Sequence, residues 1–163
     1  MILLGVDPGL RVCGYAVISA AKVGETLLEA GVIRSDQSKP LEERLLQIGE
    51  DFASLLKKFS PESVAVEGLY AHYKHPRTAI LMGHARGVIL QQSAAVGAKV
   101  RSFSATRIKK SLTGNGRAGK PQMQRAIQSM LGLPQIPEPP DVADAIAVAL
   151  CCANEQNRVK LSL

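Results

Sequence analysis

Ile2-Leu3-Leu4-Gly5-Val6-Asp7-Pro8-Gly9 opens the chain as a short apolar run that ends on a carboxylate and a turn. An unbroken run of this length, bounded by Pro-Gly, reads as a strand buried on both faces. Residues 12–19 and 26–34 read as two further strands, separated by Lys22-Val23-Gly24-Glu25. Three strands with short connections make an antiparallel meander. Pro40 starts a helix in which Leu41, Leu45, Ile48, Phe52, Leu55 and Phe59 recur at helical spacing. Residues 63–66 are β-rich and end, like the first strand, on a carboxylate, Glu67. Helix 78–95, strand 99–103 and helices over 106–112, 121–131 and 141–154 complete the expectation. The order implies a mixed five-stranded α/β sheet, meander plus parallel strands, with helices on its faces. Sites in such sheets form at the carboxyl ends of strands. If the first and fourth strands are parallel neighbours, Asp7 and Glu67 reach one edge together.

The 163 residues, 46% of them apolar, are enough for one domain over 1–163 with a full core, the last few residues fraying. Cys13, Cys151 and Cys152 make no CxxC pair, which is the usage of a reducing compartment. The first residues lack a basic segment ahead of an apolar one, and the longest apolar run, 145–153, is far short of a membrane span. The expectation is a cytoplasmic protein with no membrane partner. Charge is strongly polarised. Between Glu67 and Glu138 there is no acidic residue, while that segment carries eleven Lys or Arg and all three His. The rest of the chain has nine basic and fourteen acidic residues. A concentrated positive field beside a few carboxylates suits an enzyme that holds a polyanion and cuts it with metal ions. A merely basic surface is the bland alternative, so the case rests on the carboxylates.

Asp141 and Asp144 are three apart at the start of the last helix and project from one face. Asp141 taken alone reads as an N-cap, with Pro139-Pro140 fixing the chain before it. Asp144 interrupts the apolar segment 142–150, where a carboxylate is costly unless something positive pairs with it. Asp7 and Glu67 each emerge from apolar sequence in the same way. An all-oxygen set suits Mg²⁺ or Mn²⁺ rather than zinc. Two such ions roughly 3.5–4 Å apart can clamp the attacking and leaving oxygens of a phosphodiester. Two other patterns carry less. Gly114-Asn115-Gly116-Arg117-Ala118-Gly119-Lys120 matches GxGxxG and most of a Walker A loop, but Pro121 stands where the Ser or Thr should be and a helix precedes it. A mobile basic loop against phosphates, or a plain surface turn, are level readings for Arg117. His72, His75 and His84 lack zinc-site spacing and read as polar or DNA-facing residues.

The chain resembles the RuvC family of Holliday junction resolvases, members of the RNase H-like superfamily. The likeness runs through Gly5-Val6-Asp7-Pro8-Gly9 with Gly14-Tyr15-Ala16, Val66-Glu67 with Tyr70, His84-Ala85-Arg86-Gly87-Val88, and Asp141-Val142-Ala143-Asp144-Ala145. The resemblance implies an RNase H-like fold and a metal-dependent endonuclease that nicks four-way DNA junctions symmetrically in recombination and repair, leaving 5′-phosphate and 3′-hydroxyl ends. It implies metal-binding catalytic roles for Asp7, Glu67, Asp141 and Asp144, with two Mg²⁺ or Mn²⁺ ions. It matches Lys109 and Lys120 to basic residues near the scissile phosphate. Tyr70 falls where the family has a phenylalanine that stacks at the junction opening, and a tyrosine keeps that face. His75 replaces an expected Asn and Pro76 interrupts the segment, a departure from the family pattern. Arg77, Lys110 and Arg117 are further expected DNA contacts. The family is a homodimer and partners with RuvA–RuvB. The small-residue row Ala79, Gly83 and Gly87 would then be a dimer seam, although packing against the chain's own sheet explains it equally well. The alternatives are a YqgF-like RNA-processing nuclease, a non-catalytic junction-binding protein and a small ATP-binding module.

Overall fold

The computed structural model describes residues 1–21, 24–69 and 76–161, with side chains to residue 157. Its strands are β1 (Ile2–Asp7), β2 (Val12–Ala21), β3 (Gly24–Arg34), β4 (Ser63–Glu67) and β5 (Lys99–Phe103). Its helices are α1 (Leu41–Phe59), α2 (Pro76–Ala95), α3 (Ala105–Thr113), α4 (Lys120–Leu131) and α5 (Pro140–Leu161). One sheet runs in the order β3-β2-β1-β4-β5. The pairs β1–β2 and β2–β3 are antiparallel, and β1–β4 and β4–β5 are parallel. The expected meander and crossovers are therefore present. Two helices differ from expectation by more than one residue at an end. α2 begins at Pro76 rather than at residue 78, since proline suits a first turn that has no intrahelical use for its N–H. α5 continues past 154 to Leu161.

Strand alternation sorts the core into two layers. Leu4, Val6, Val17, Val64 and Val66 pack under α1 and α2, against Ile48, Phe52, Leu56, Ala85 and Ile89. Leu3, Ala16, Ile18, Ala65 and Phe103 face α3, α4 and α5. α5 supplies most of that second layer from a run of small residues, Ala143, Ala145, Ala147, Ala149 and Ala153, all buried. Small side chains let a helix lie close to a sheet, and that closeness is what positions the site. Cys13, Cys151 and Cys152 are buried thiols rather than a disulfide. Among the described residues no helix is long and apolar enough to cross a membrane.

Candidate active site

Val6 pairs with Val66 in the parallel ladder, so Asp7 and Glu67, one residue further on each strand, stand side by side at the carboxyl ends. Both share the parity of Leu3 and Ala65, so both project toward α5. The chain beyond Glu67 is tied down from two sides. Gly68 N–H donates to the Phe103 carbonyl at 2.8 Å. Arg86 of α2 donates from Nε to the Glu67 carbonyl at 3.4 Å and from its terminal nitrogen to Ser102 Oγ at 2.8 Å.

The last two carboxylates arrive because glycine leaves room for α5. A Cβ on Gly5 would lie 2.3 Å from the Ala145 carbonyl oxygen and 2.6 Å from Ala149 N. A Cβ on Gly14, the ladder partner of Asp7, would lie 2.0 Å from the Asp141 carbonyl oxygen. No side chain fits at either place, so the backbone of α5 rests directly on β1 and β2. Asp141 is thereby set over the residue opposite Asp7. It is not the N-cap that the sequence implied. α5 already begins at Pro140, the Val142 N–H is taken by the Pro139 carbonyl at 2.9 Å, and Asp141 sits inside the first turn. There its charge complements the helix dipole. Asp144 was expected to be buried and is exposed, opening into a cleft it shares with Glu67, Lys109 and Lys120.

The electrostatics follow from this crowding. Burial pushes the Asp7 carboxyl up from 3.8 to about 7, and the charges of Glu67, Asp144 and Asp141 push it the same way. Glu67 is raised by burial and then by Asp144, against the opposing pull of Lys109. Asp144 is raised by the protein atoms around it, although solvent reaches it, and by Asp141; Lys120 and Lys109 oppose this. Among the described residues no three of these carboxylates are gathered closely enough to grip an ion as they stand. The donor set itself is all oxygen, anionic and undercompensated, which fits a hard divalent cation. Among the described residues no histidine or cysteine lines the clefts that contain these carboxylates, and burial pushes the Cys13 thiol up to about 12.

Lys109 and Lys120 come from two helices and line one cleft with Glu67 and Asp144. The segment joining them, for which a mobile basic loop and a plain surface turn were level expectations, is internally bonded. Thr113 Oγ1 accepts from Asn115 N–H at 3.1 Å, Asn115 Oδ1 accepts from Arg117 N–H at 3.0 Å, and Ala118 is 1% exposed. Gly116 packs against Thr106 so tightly that a Cβ would lie 2.8 Å from its methyl group. A buried alanine two residues ahead of Lys120 anchors the start of α4. Lys110 and Arg117 are exposed outside this cleft, and Arg77 is exposed in the first turn of α2. Tyr70, His72 and His75 lie outside the described residues. Sequence reasoning missed Arg11 and Arg44, which line a further cleft with Asp141. Both sit in the net-acidic part of the chain, where segment-wide charge accounting hides them.

The family model described as crossover junction endodeoxyribonuclease RuvC matches residues 3–152. The chain belongs to the RuvC family. A RuvC from Rhodopirellula baltica is 50% identical over 149 residues, covering 91% of this chain and 84% of that protein. The RuvC of Pelotomaculum thermopropionicum is 39% identical over 154 residues, covering 94% and 93%. The structure of T. thermophilus RuvC in complex with Holliday junction substrate superposes with a TM-score of 0.91 at 30% identity, covering 98% of this chain and 96% of that one. The expected RNase H-like RuvC fold is thus confirmed over nearly the whole chain.

Proposed function

We propose that this RuvC-family endonuclease holds divalent metal, Mg²⁺ or Mn²⁺ at two positions, on Asp7, Glu67, Asp141 and Asp144, and nicks Holliday junctions there. The observation that carries the reading is the convergence of four carboxylates from β1, β4 and α5 on one edge, with Asp7 pushed up to about 7. Bound there, such ions supply Lewis acidity and positive charge for water attack on a phosphodiester. Asp7 and Glu67 fix the place of the scissile phosphate because their strands do not move independently. Lys109 and Lys120 face that place from α3 and α4 and offset charge that develops on the phosphate oxygens. In-line attack of water at phosphorus, with departure of the 3′ oxygen, leaves a 5′-phosphate and a 3′-hydroxyl.

Two matching nicks call for two sites, and a twofold homodimer provides them. The face of α2 supports this. Ala85, Ile89 and Ser93 are its buried side, whereas a Cβ on Gly87 meets nothing within 4 Å and one on Gly83 meets only Leu69, at 3.6 Å. The glycine row therefore does not face the chain's own sheet. Ile80, on the same helix, is 62% exposed. Arg77, Lys110 and Arg117 extend the basic surface for phosphate contacts, and Tyr70 supplies a ring for an unstacked base. A RuvA–RuvB partnership rests on the family resemblance alone, and a cytoplasmic location on the cysteine usage of the sequence.

The test is incubation of labelled four-way junction, linear duplex and RNA–DNA hybrid with Mg²⁺, followed by mapping of the nicks. Paired symmetric nicks in the junction alone are expected. Preferential cutting of the hybrid would point to an RNA-processing nuclease, and binding without nicks to a non-catalytic junction protein.

A further inference from the structure

The four carboxylates line neighbouring clefts, and basic residues border them from two different parts of the fold. On one flank are Lys109 and Lys120. On the other, a cleft beside Asp141 is lined by Arg11 and Arg44, with Thr78 from α2 and with Met82. Met82 also lines the cleft that contains Asp7 and Glu67, so the two clefts are neighbours across this side chain.

The two arginines have distinct positions. Arg44, on α1, is half-buried and spoken for: its Nε donates to Ser35 Oγ at 3.1 Å and its terminal nitrogen to the Leu10 carbonyl at 3.2 Å. Ser35 Oγ donates to the same carbonyl, and Ser35 N–H donates to the Arg11 carbonyl at 3.3 Å. The turn after Asp7 is thus clamped to α1 and to the end of β3, which holds the Arg11 backbone in place. The Arg11 side chain itself is exposed, and among the described residues it has no ion pair or hydrogen bond. It is a guanidinium on a fixed backbone, unpaired among the described residues, lining a cleft with the Asp141 carboxylate.

We propose that Arg11 is a phosphate-binding residue that seats the DNA backbone on the flank of the scissile phosphate opposite Lys109 and Lys120. This rests on the reading of the carboxylates as the cleavage site. A nucleic-acid strand carries one charge per 3.4 Å of helix axis, so a strand laid across the carboxylates presents phosphates to both flanks. A guanidinium matches a phosphate in two-pronged geometry. Arg44 adds charge to the cleft while serving as the brace that positions Arg11.

The test pairs Arg11→Gln with single methylphosphonate substitutions, which remove the charge of one phosphate at a time on either side of the nick. Arg11→Gln should weaken junction binding several-fold and lower the slope of log K against log salt by about 0.9, the share of one phosphate contact. Its melting temperature should not change, and Arg11→Lys should restore most of the slope. One neutralised phosphate on a single flank should weaken wild-type binding but not weaken Arg11→Gln further. If every neutralised phosphate weakens Arg11→Gln as much as wild type, the seat is not at Arg11. If Lys110→Ala lowers the salt slope while Arg11→Gln does not, the basic surface reading stands and this inference falls. A wild-type protein that does not nick the junction at all overturns the cleavage-site reading instead.

Discussion

Asp7 and Glu67 stand on strands whose register is fixed by ladder hydrogen bonds, whereas Lys109 and Lys120 stand on two short helices joined by residues 114–119. The carboxylate side cannot shift without breaking the sheet or lifting α5 from Gly5 and Gly14. The lysine side is held by Ala118, Gly116 and a few hydrogen bonds around Asn115. In the proposed site, the difference separates what must be placed to a fraction of an ångström from what need only supply charge. Point donors to an ion demand fixed geometry, while a flexible ammonium acts as a compact charge over some distance.

The sharpest way to break this comparison is Gly14→Ala. Its Cβ would meet a backbone atom of α5 rather than a flexible side chain, so the helix start must move. Overpacking of this kind costs about 1–3 kcal/mol, and here it also displaces Asp141. The expected outcome is a melting temperature lower by several degrees and near-complete loss of cleavage. An unchanged melting temperature with full activity would show that α5 does not need to rest on β2.

A smaller effect is expected from the lysine side. Lys120→Ala should lower the cleavage rate by roughly 10²–10³-fold, as loss of one charge-stabilising donor does, with junction affinity and melting temperature little changed. Single-turnover rates beside equilibrium binding check this. A loss confined to affinity would move Lys120 from the reaction to simple DNA attraction.

Smaller again is a pH effect on the metal-free protein. The Asp7 carboxyl is raised from 3.8 to about 7, so folding favours its protonated form. That stabilisation is fully present below the ordinary carboxylate range and is lost as pH rises through about 7. Glu67 and Asp144 shift in the same direction. The metal-free protein should therefore melt at a higher temperature at pH 6 than at pH 8. Added Mg²⁺ should raise the melting temperature more at pH 8, where the carboxylates are ionised and free to bind it. A metal-free melting temperature that rises from pH 6 to pH 8 would contradict the crowding.

The smallest expected effects lie outside both clefts. Lys110→Ala and Arg117→Ala should each flatten the salt dependence of junction binding by about 0.9 in log–log slope, without changing the cleavage rate at saturating protein.

The same contrast explains what could be read from the sequence. The strand-end placement of Asp7 and Glu67 was legible because each ends an apolar run, whereas their standing side by side depended on a parallel β1–β4 pairing that the sequence offered only as a condition. The α2 glycines were ambiguous because spacing alone does not say which face they occupy. The cap reading of Asp141, the bland alternative to a metal ligand, fails because a helix start cannot be fixed to one residue from a Pro-Pro-Asp sequence. Asp144 was expected to be buried because its sequence neighbours are apolar, but a helix can turn one residue of such a segment outward into a cleft. Arg11 was invisible because its importance comes from a neighbour, Asp141, that is far away in sequence.

The most direct test of the central claim, that the four carboxylates act as one metal-dependent cutting centre, is junction cleavage by Asp7→Asn, Glu67→Gln and Asp144→Asn, measured beside junction binding in the same buffer with Mg²⁺. Each substitution removes one donor charge and leaves the basic surface intact. The account predicts that all three bind junction as tightly as wild type and do not cut it; cleavage by any of them at near wild-type rate would contradict it.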